Sequence, residues 1–169
     1  MTDRPSRPRK LAKADQAGQF ESGASELDEW LTKYAWENLR ANNAITYVSV
    51  LGGRVVGYYA IAAGGVELVA VPPALRKGPR PDPLPVIVLG RLAVDRGMAG
   101  RGLGAGLLRD ALERAATLSQ SLGAAALLVH ARDEAARDFY LHNGDFHLSP
   151  VSELQLLVSM KHLTTVFLR

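Results

Sequence analysis

The period of apolar and polar positions changes several times along the chain, and each change marks an element. In residues 26–42, ELDEWLTKYAWENLRAN, the side chains Leu27, Trp30, Leu31 and Tyr34 fall at i, i+3, i+4 and i+7, one stripe of a helix. Ser25 stands before them as the expected N-cap. Residues 45–51, ITYVSVL, are rich in β-branched and aromatic side chains. Gly52–Gly53 then reads as a hairpin turn, and RVVGYYAIA from Arg54 as the returning strand. Six prolines between Val71 and Pro85 argue against a helix or a central strand there. VIVLGRLAVD, 86–95, is a continuous apolar run and reads as a buried central strand. Leu107, Leu108, Ala111, Leu112, Ala115 and Leu118 then draw a second helical stripe. GAAALLVHA, 123–131, predicts another buried strand. DEAARDFYLHNG, 133–144, predicts a short helix capped by Asp133 and stopped by Gly144, and ELQLLVSM, 153–160, predicts the last strand. The order helix, hairpin, strand, helix, strand, helix, strand implies a mixed α/β or α+β domain without internal repeats.

Composition narrows the class. At 169 residues the chain is long enough for one domain with a substantial core, and its 47% hydrophobic and 22% charged residues suit a soluble globular protein. The absence of cysteine excludes disulfides, thiolate metal sites and a cysteine nucleophile. None of the four histidines, His130, His142, His147 and His162, has zinc-ligand spacing, so no metal site is expected. No apolar run approaches the roughly 18 residues of a membrane-spanning helix. The basic start MTDRPSRPRK leads into no apolar signal core, so a cytoplasmic protein is expected, with residues 1–8 as a flexible basic tail and 9–169 as a single domain. A net charge of +3 tilts the chain mildly toward anionic partners.

That tilt gains meaning at GRLAVDRGMAGRGLGAGLLRDALERA, 90–115. Gly97, Gly100, Gly102, Gly104 and Gly106 crowd into ten residues between a strand and a helix. Glycine lets the backbone approach a ligand closely and adopt positive φ. Successive amides opening into a helix N-terminus favour an anion, so a phosphate or pyrophosphate is the natural guest. A Walker loop would need a terminal Gly-Lys-Ser/Thr, and a dinucleotide fingerprint would need GxGxxG with an acidic residue after the next strand. Neither is present.

AGRGLGAGLL after a strand ending LAVD resembles the acetyl-CoA-binding motif of the GCN5-related N-acetyltransferase (GNAT) superfamily. The resemblance implies a GNAT fold: a mixed central sheet with flanking helices and a splayed cofactor-binding strand. It also implies that Leu92, Ala93 and Val94 hold the pantetheine arm of acetyl-CoA, and that Gly100, Arg101, Gly102, Leu103, Gly104 and Ala105 cradle its pyrophosphate. Ala99 stands where this motif usually has Gln or Arg. Its backbone amide is expected to donate all the same, with Arg96 and Arg101 supplying charge. ARDEAARDFYLHNGDF, 131–146, resembles a second family motif. It places Asp133 and Ala136 on the cofactor side and makes Tyr140 the general acid toward the leaving thiolate. FESGASELDEWL (20–31), VVGYYAIA (55–62) and PDPLPVIVLGRLAVD (81–95) are similar to the GNAT toxins of bacterial toxin–antitoxin modules. Those toxins acetylate the α-amino group of aminoacyl-tRNA. The resemblance therefore implies a charged tRNA as acceptor, a ribbon-helix-helix antitoxin and a homodimer.

The chemistry is consistent with that implication. A free α-amino group ionises at about 7.7–8.0 and a neighbouring ester lowers this further, so no strong protein base is required. A strand amide near Val94 can polarise the carbonyl. From helical spacing alone Tyr140 reads equally as a core aromatic beside Ala136 and Phe139. Lys33, Arg40, Arg76, Lys77, Arg80 and Arg91 are the candidate contacts to tRNA, each of which could equally be a solvated surface charge. Two alternatives stay open: an N-acetyltransferase for a small amine or a protein N-terminus, and a non-catalytic coenzyme A-binding protein of the same fold.

Overall fold

The computed structural model describes residues 4–168, and its hairpin turns where the glycine pair predicts. β2 (Ile45–Leu51) and β3 (Arg54–Val66) pair antiparallel, with Tyr47 opposite Tyr59. Gly52 and Gly53 have φ of 59° and 78°, the left-handed pair that a two-residue turn needs to match strand twist. β1 (Arg9–Lys10) adds to β2. β4 (Leu84–Val94), β5 (Ala126–His130), β6 (His147–Ser149) and β7 (Ser152–Ser159) complete one seven-stranded mixed sheet in the order β1-β2-β3-β4-β5-β7-β6. β4 and β5 pair parallel, through Val86↔Ala126 to Leu89↔Val129, and Gly90–Val94 extend past the last of these partners.

The chain gathers into two compact units. The first comprises the chain up to Ala62 together with Gly90–Asp110. Its core packs Trp30, Leu31, Ala35, Val48, Val55, Tyr58 and Ala93. The first helix runs as α1 (Ser25–Glu29), a π-helical turn over Trp30–Tyr34, and α2 (Ala35–Arg40). Two expectations change here. The N-cap is Ala24, one residue earlier than Ser25, and makes no side-chain cap bond. Nearby, Asp28 holds the Ser22 amide and hydroxyl instead. The wider π turn also rotates the apolar stripe: Tyr34 is exposed and Ala35 is buried in its place. Of the segment expected to be loose, residues 1–3 lie outside the described residues, and the Ser6 amide donates to the Val50 carbonyl at 2.8 Å.

The second unit comprises Ala63–Leu89 and the chain from Ala111. Its core joins Val66, Val71, Leu75, Leu84, Val86, Ala126, Leu128 and Leu157. β4 begins two residues earlier than expected, so Leu84 and Pro85 are strand. Pro85 still serves as an acceptor, taking the Ala125 amide at 2.8 Å. The helix after the glycine loop is α3 (Leu103–Leu118). It buries Ala116 and leaves Leu118 exposed. α4 (Glu134–Asn143) begins and ends as expected, but Gly144 has an extended φ of −154°. Its glycine serves close packing: an added Cβ would lie 2.7 Å from the Phe146 ring. The last strand ends at Ser159, whose side chain accepts the His162 amide and opens α5 (Met160–Phe167). Neither this helix nor β6 was anticipated.

Candidate active site

The glycine loop starts from a buried carboxylate. Asp95 follows β4, and its side chain accepts the Gly97 amide at 3.0 Å and the Glu21 amide at 2.9 Å. The turn Arg96–Met98 buries Met98 and ends at Ala99, whose amide donates to the Arg96 carbonyl at 3.1 Å. That bond corrects the expectation for Ala99: its amide is engaged inside the turn and is not offered outward. Gly100 and Gly102 then take φ of 78° and 79°, a backbone that strains any L side chain. The first intrahelical bond of α3 runs from the Gly106 amide to the Gly102 carbonyl at 3.0 Å. The amides of Leu103, Gly104 and Ala105 precede it in the first turn, where an α-helix leaves N–H groups without intrahelical partners.

A cleft of about 410 Å³ opens at this turn, lined by Arg4, Pro5, Met98, Arg101, Gly102, Leu103 and Gly106. A Cβ built on Gly100, Gly102 or Gly106 would meet nothing within 4 Å. The protein's own packing therefore does not demand glycine there. Unpaired amides, two basic side chains and uncovered backbone fit a group that carries a pyrophosphate. Arg4, from the basic start of the chain, joins Arg101 in lining this cleft. Arg96 lies beside the loop and pairs with Glu21 at 3.3 Å. Of the strand residues, Ala93 is buried, while Leu92 and Val94 are half-buried.

In the second unit, Asp133 caps α4 by accepting the Ala136 amide at 2.8 Å, and it also meets Arg132 at 3.0 Å. The polar groups of Asp133 and Ala136 thus serve the helix start first. Tyr140 is buried between Phe139 and Phe146, with ring centroids 5.3 and 5.9 Å away, both edge to face. Burial raises its hydroxyl from the ordinary 10 to about 12. Among the described residues this hydroxyl has no hydrogen-bond partner, yet its oxygen is not sealed from solvent.

The basic residues differ in how they are held. Lys33 and Arg40 make exposed helical pairs with Glu29 at 3.7 Å and Glu37 at 4.0 Å. Arg76 and Arg80 fold back onto the Val71 and Leu75 carbonyls at 2.8 and 3.1 Å, and Lys77 between them is exposed. The Arg91 guanidinium carbon lies over the Trp30 ring, 4.3 Å from its centroid, and Trp30 also stacks with the Tyr58 ring. Among the described residues, no group of three His, Cys, Asp or Glu could hold a metal ion, and no helix is long and apolar enough to cross a membrane.

A strand running into a glycine loop that opens a helix, within a mixed sheet, defines a fold built to hold a phosphorylated ligand. Residues 11–144 match the model of the acetyltransferase (GNAT) family, and the chain belongs to that family. It is 46% identical over 156 residues to the tRNA-acetylating toxin of Mycobacterium tuberculosis (strain ATCC 25618 / H37Rv), covering 92% of this chain and 93% of that protein. Among solved structures it is similar to AtaT complexed with acetyl-methionyl-tRNAfMet, with a TM-score of 0.86 and 27% identity over 95% of this chain and 98% of that one. It is also similar to AtaTR bound with AcCoA, with a TM-score of 0.81 and 28% identity over 95% and 96% of the two chains.

Proposed function

We propose that this acetyltransferase is a toxin that moves the acetyl group of acetyl-CoA onto the α-amino group of aminoacyl-tRNA and so blocks translation. The observation that carries this reading is the 46% identity, along nearly the whole chain, to a tRNA-acetylating toxin. Acetyl-CoA supplies an activated acyl group as its thioester.

The roles of the chain's own groups follow from their chemistry. The amides of Leu103, Gly104 and Ala105, with Arg101 beside them, hold the pyrophosphate through hydrogen bonds and the positive end of α3. Gly100 and Gly102 let the backbone reach it. Leu92, Ala93 and Val94 present strand backbone to the pantetheine arm, and the Val94 amide polarises the acetyl carbonyl. The Tyr140 hydroxyl donates its proton toward the departing sulfur, and the proton released by the acylated amine restores the balance. Lys33, Arg40, Arg76, Lys77, Arg80 and Arg91 supply phosphate contacts to the tRNA. A ribbon-helix-helix antitoxin, a homodimer and a cytoplasmic location belong to the same reading.

The deciding experiment incubates the purified protein with acetyl-CoA and a mixed pool of charged tRNAs, then seeks N-acetylated aminoacyl ends by mass spectrometry. Acetylation of one or a few species is expected. Coenzyme A binding without any acetylated end would move the acceptor to a small amine or a protein N-terminus.

A further inference from the structure

We infer that Asp95 is a positioning residue for the glycine loop: its carboxylate clasps the loop to the Phe20–Ala24 segment, and this clasp sets the amides for the pyrophosphate. The inference rests on the reading of that loop as the coenzyme A site. Every polar group of Asp95 is engaged. Its amide donates to the Val56 carbonyl at 2.9 Å, and its carbonyl accepts the Met98 amide at 2.9 Å. One carboxylate oxygen accepts the Glu21 amide at 2.9 Å. The other accepts the Gly97 amide at 3.0 Å and lies 3.7 Å from the Arg54 guanidinium. Two more bonds tie the same pair of segments: the Arg96 amide donates to the Glu21 carbonyl at 2.8 Å, and their side chains pair at 3.3 Å.

A carboxylate near a site for an anion is electrostatically unfavourable unless something compensates it. Here two amides and Arg54 surround the charge, and it is turned into the protein, with Asp95 only 5% exposed. What it offers the site is geometry. The far end of the loop is fixed independently, by Leu103 and Leu107 packing so tightly on β3 that a Cβ on Gly57 would lie 3.2 and 2.9 Å from them. The near end depends on Asp95. Without its carboxylate, the turn over Arg96–Met98 loses its side-chain cap and one of its three ties to Glu21 together.

The test uses Asp95→Asn, in which an NH₂ group must face one of the two amides. Gly97→Ala is the milder variant, because its new Cβ would sit 3.2 Å from the carboxylate and disturb the same bond without removing it. Ser159→Ala, which uncaps α5, controls for a general loss of stability. Coenzyme A affinity is measured by calorimetry well below each melting temperature, and amide exchange is followed along the chain. Asp95→Asn is expected to weaken coenzyme A by about tenfold or more. Gly97→Ala should weaken it a few-fold, with faster exchange confined to residues 20–24 and 96–105. Ser159→Ala should bind as the parent does. Parent-like affinity in Gly97→Ala and in folded Asp95→Asn would overturn the inference and leave Asp95 a purely structural residue. Failure of the parent itself to bind coenzyme A would instead overturn the reading of the loop.

Discussion

Between Asp95 and Gly106 the loop offers a ligand mostly backbone. Five of the twelve residues are glycine, two have positive φ, and the one buried carboxylate faces inward. On α4 the arrangement is reversed. Its start is capped by Asp133, and the role proposed for it rests on a single hydroxyl, carried by Tyr140 among two aromatic rings. As proposed, the first region would bind through many weak, redundant donors, so single changes there should grade affinity. As proposed, the second would act through one atom, so losing it should be nearly all or none. Burial adds a further consequence. A tyrosine held near 12 keeps its proton well above the pH at which an α-amine becomes neutral, so at neutral to mildly alkaline pH it is in the donating form. Full transfer from such a group to a thiolate of ordinary basicity is uphill, which points to a strong hydrogen bond to the developing charge on sulfur as its main service.

The sharpest way to break this comparison is Tyr140→Phe. The turnover number should fall by about 10²–10⁴ while coenzyme A affinity changes less than about twofold, since the ring and its packing remain. A graded loss, with affinity and turnover falling together, would place Tyr140 with the core. The same variant tests the burial of the hydroxyl. The folded pKa of about 12 exceeds the unfolded value near 10, so this group's stabilisation is complete below pH 10 and is lost as pH rises through 12. Urea unfolding of the parent should therefore lose roughly 1.4 kcal/mol per pH unit from this tyrosine above pH 10. Tyr58, also raised by burial, adds to the parent's slope and persists in the variant. Tyr140→Phe should show the shallower slope, and equal slopes would mean the hydroxyl is well solvated.

These two regions were not equally legible. The loop could be read because glycine at that density has few uses other than backbone approach, and its strand and helix flanks carry clear periods. Tyr140 could not be read from spacing, because a helical aromatic beside Ala136 and Phe139 is equally a core residue; only the resemblance of ARDEAARDFY gave it a role. Asp95 was visible merely as the end of an apolar run, since its partner Glu21 lies 74 residues away and no local pattern announces a bond of that length. The first helix shows another limit. A π turn adds one residue to a stripe, and nothing in WLTKY signals it, so the burial of Ala35 in place of Tyr34 emerges only from packing. β6 and α5 were missed because a three-residue strand has no period to detect, and Ser159 ends a strand and caps a helix in one position.

The smallest expected effect is also the one in which two effects should move in opposite directions. Gly106 lies in the first turn of α3 on the wall of the cleft. Its φ is not in the left-handed region, and an added Cβ would meet nothing. For the protein alone, then, alanine is the better residue. Gly106→Ala should stabilise the ligand-free chain by about 0.5–1 kcal/mol through helix propensity and reduced unfolded-state entropy. That corresponds to a rise in melting temperature of about 1–4 °C. If glycine is there so that the pyrophosphate can approach the helix backbone, the same methyl should weaken coenzyme A a few-fold. Thermal melts with and without coenzyme A read both signs at once: the ligand-free curve moves up, and the shift produced by the ligand shrinks. An unchanged ligand shift would place the bound group away from the α3 wall and leave the amides of Leu103–Ala105 without their proposed role. A lower ligand-free melting temperature would mean that the open space beside Gly106 is used by the fold itself.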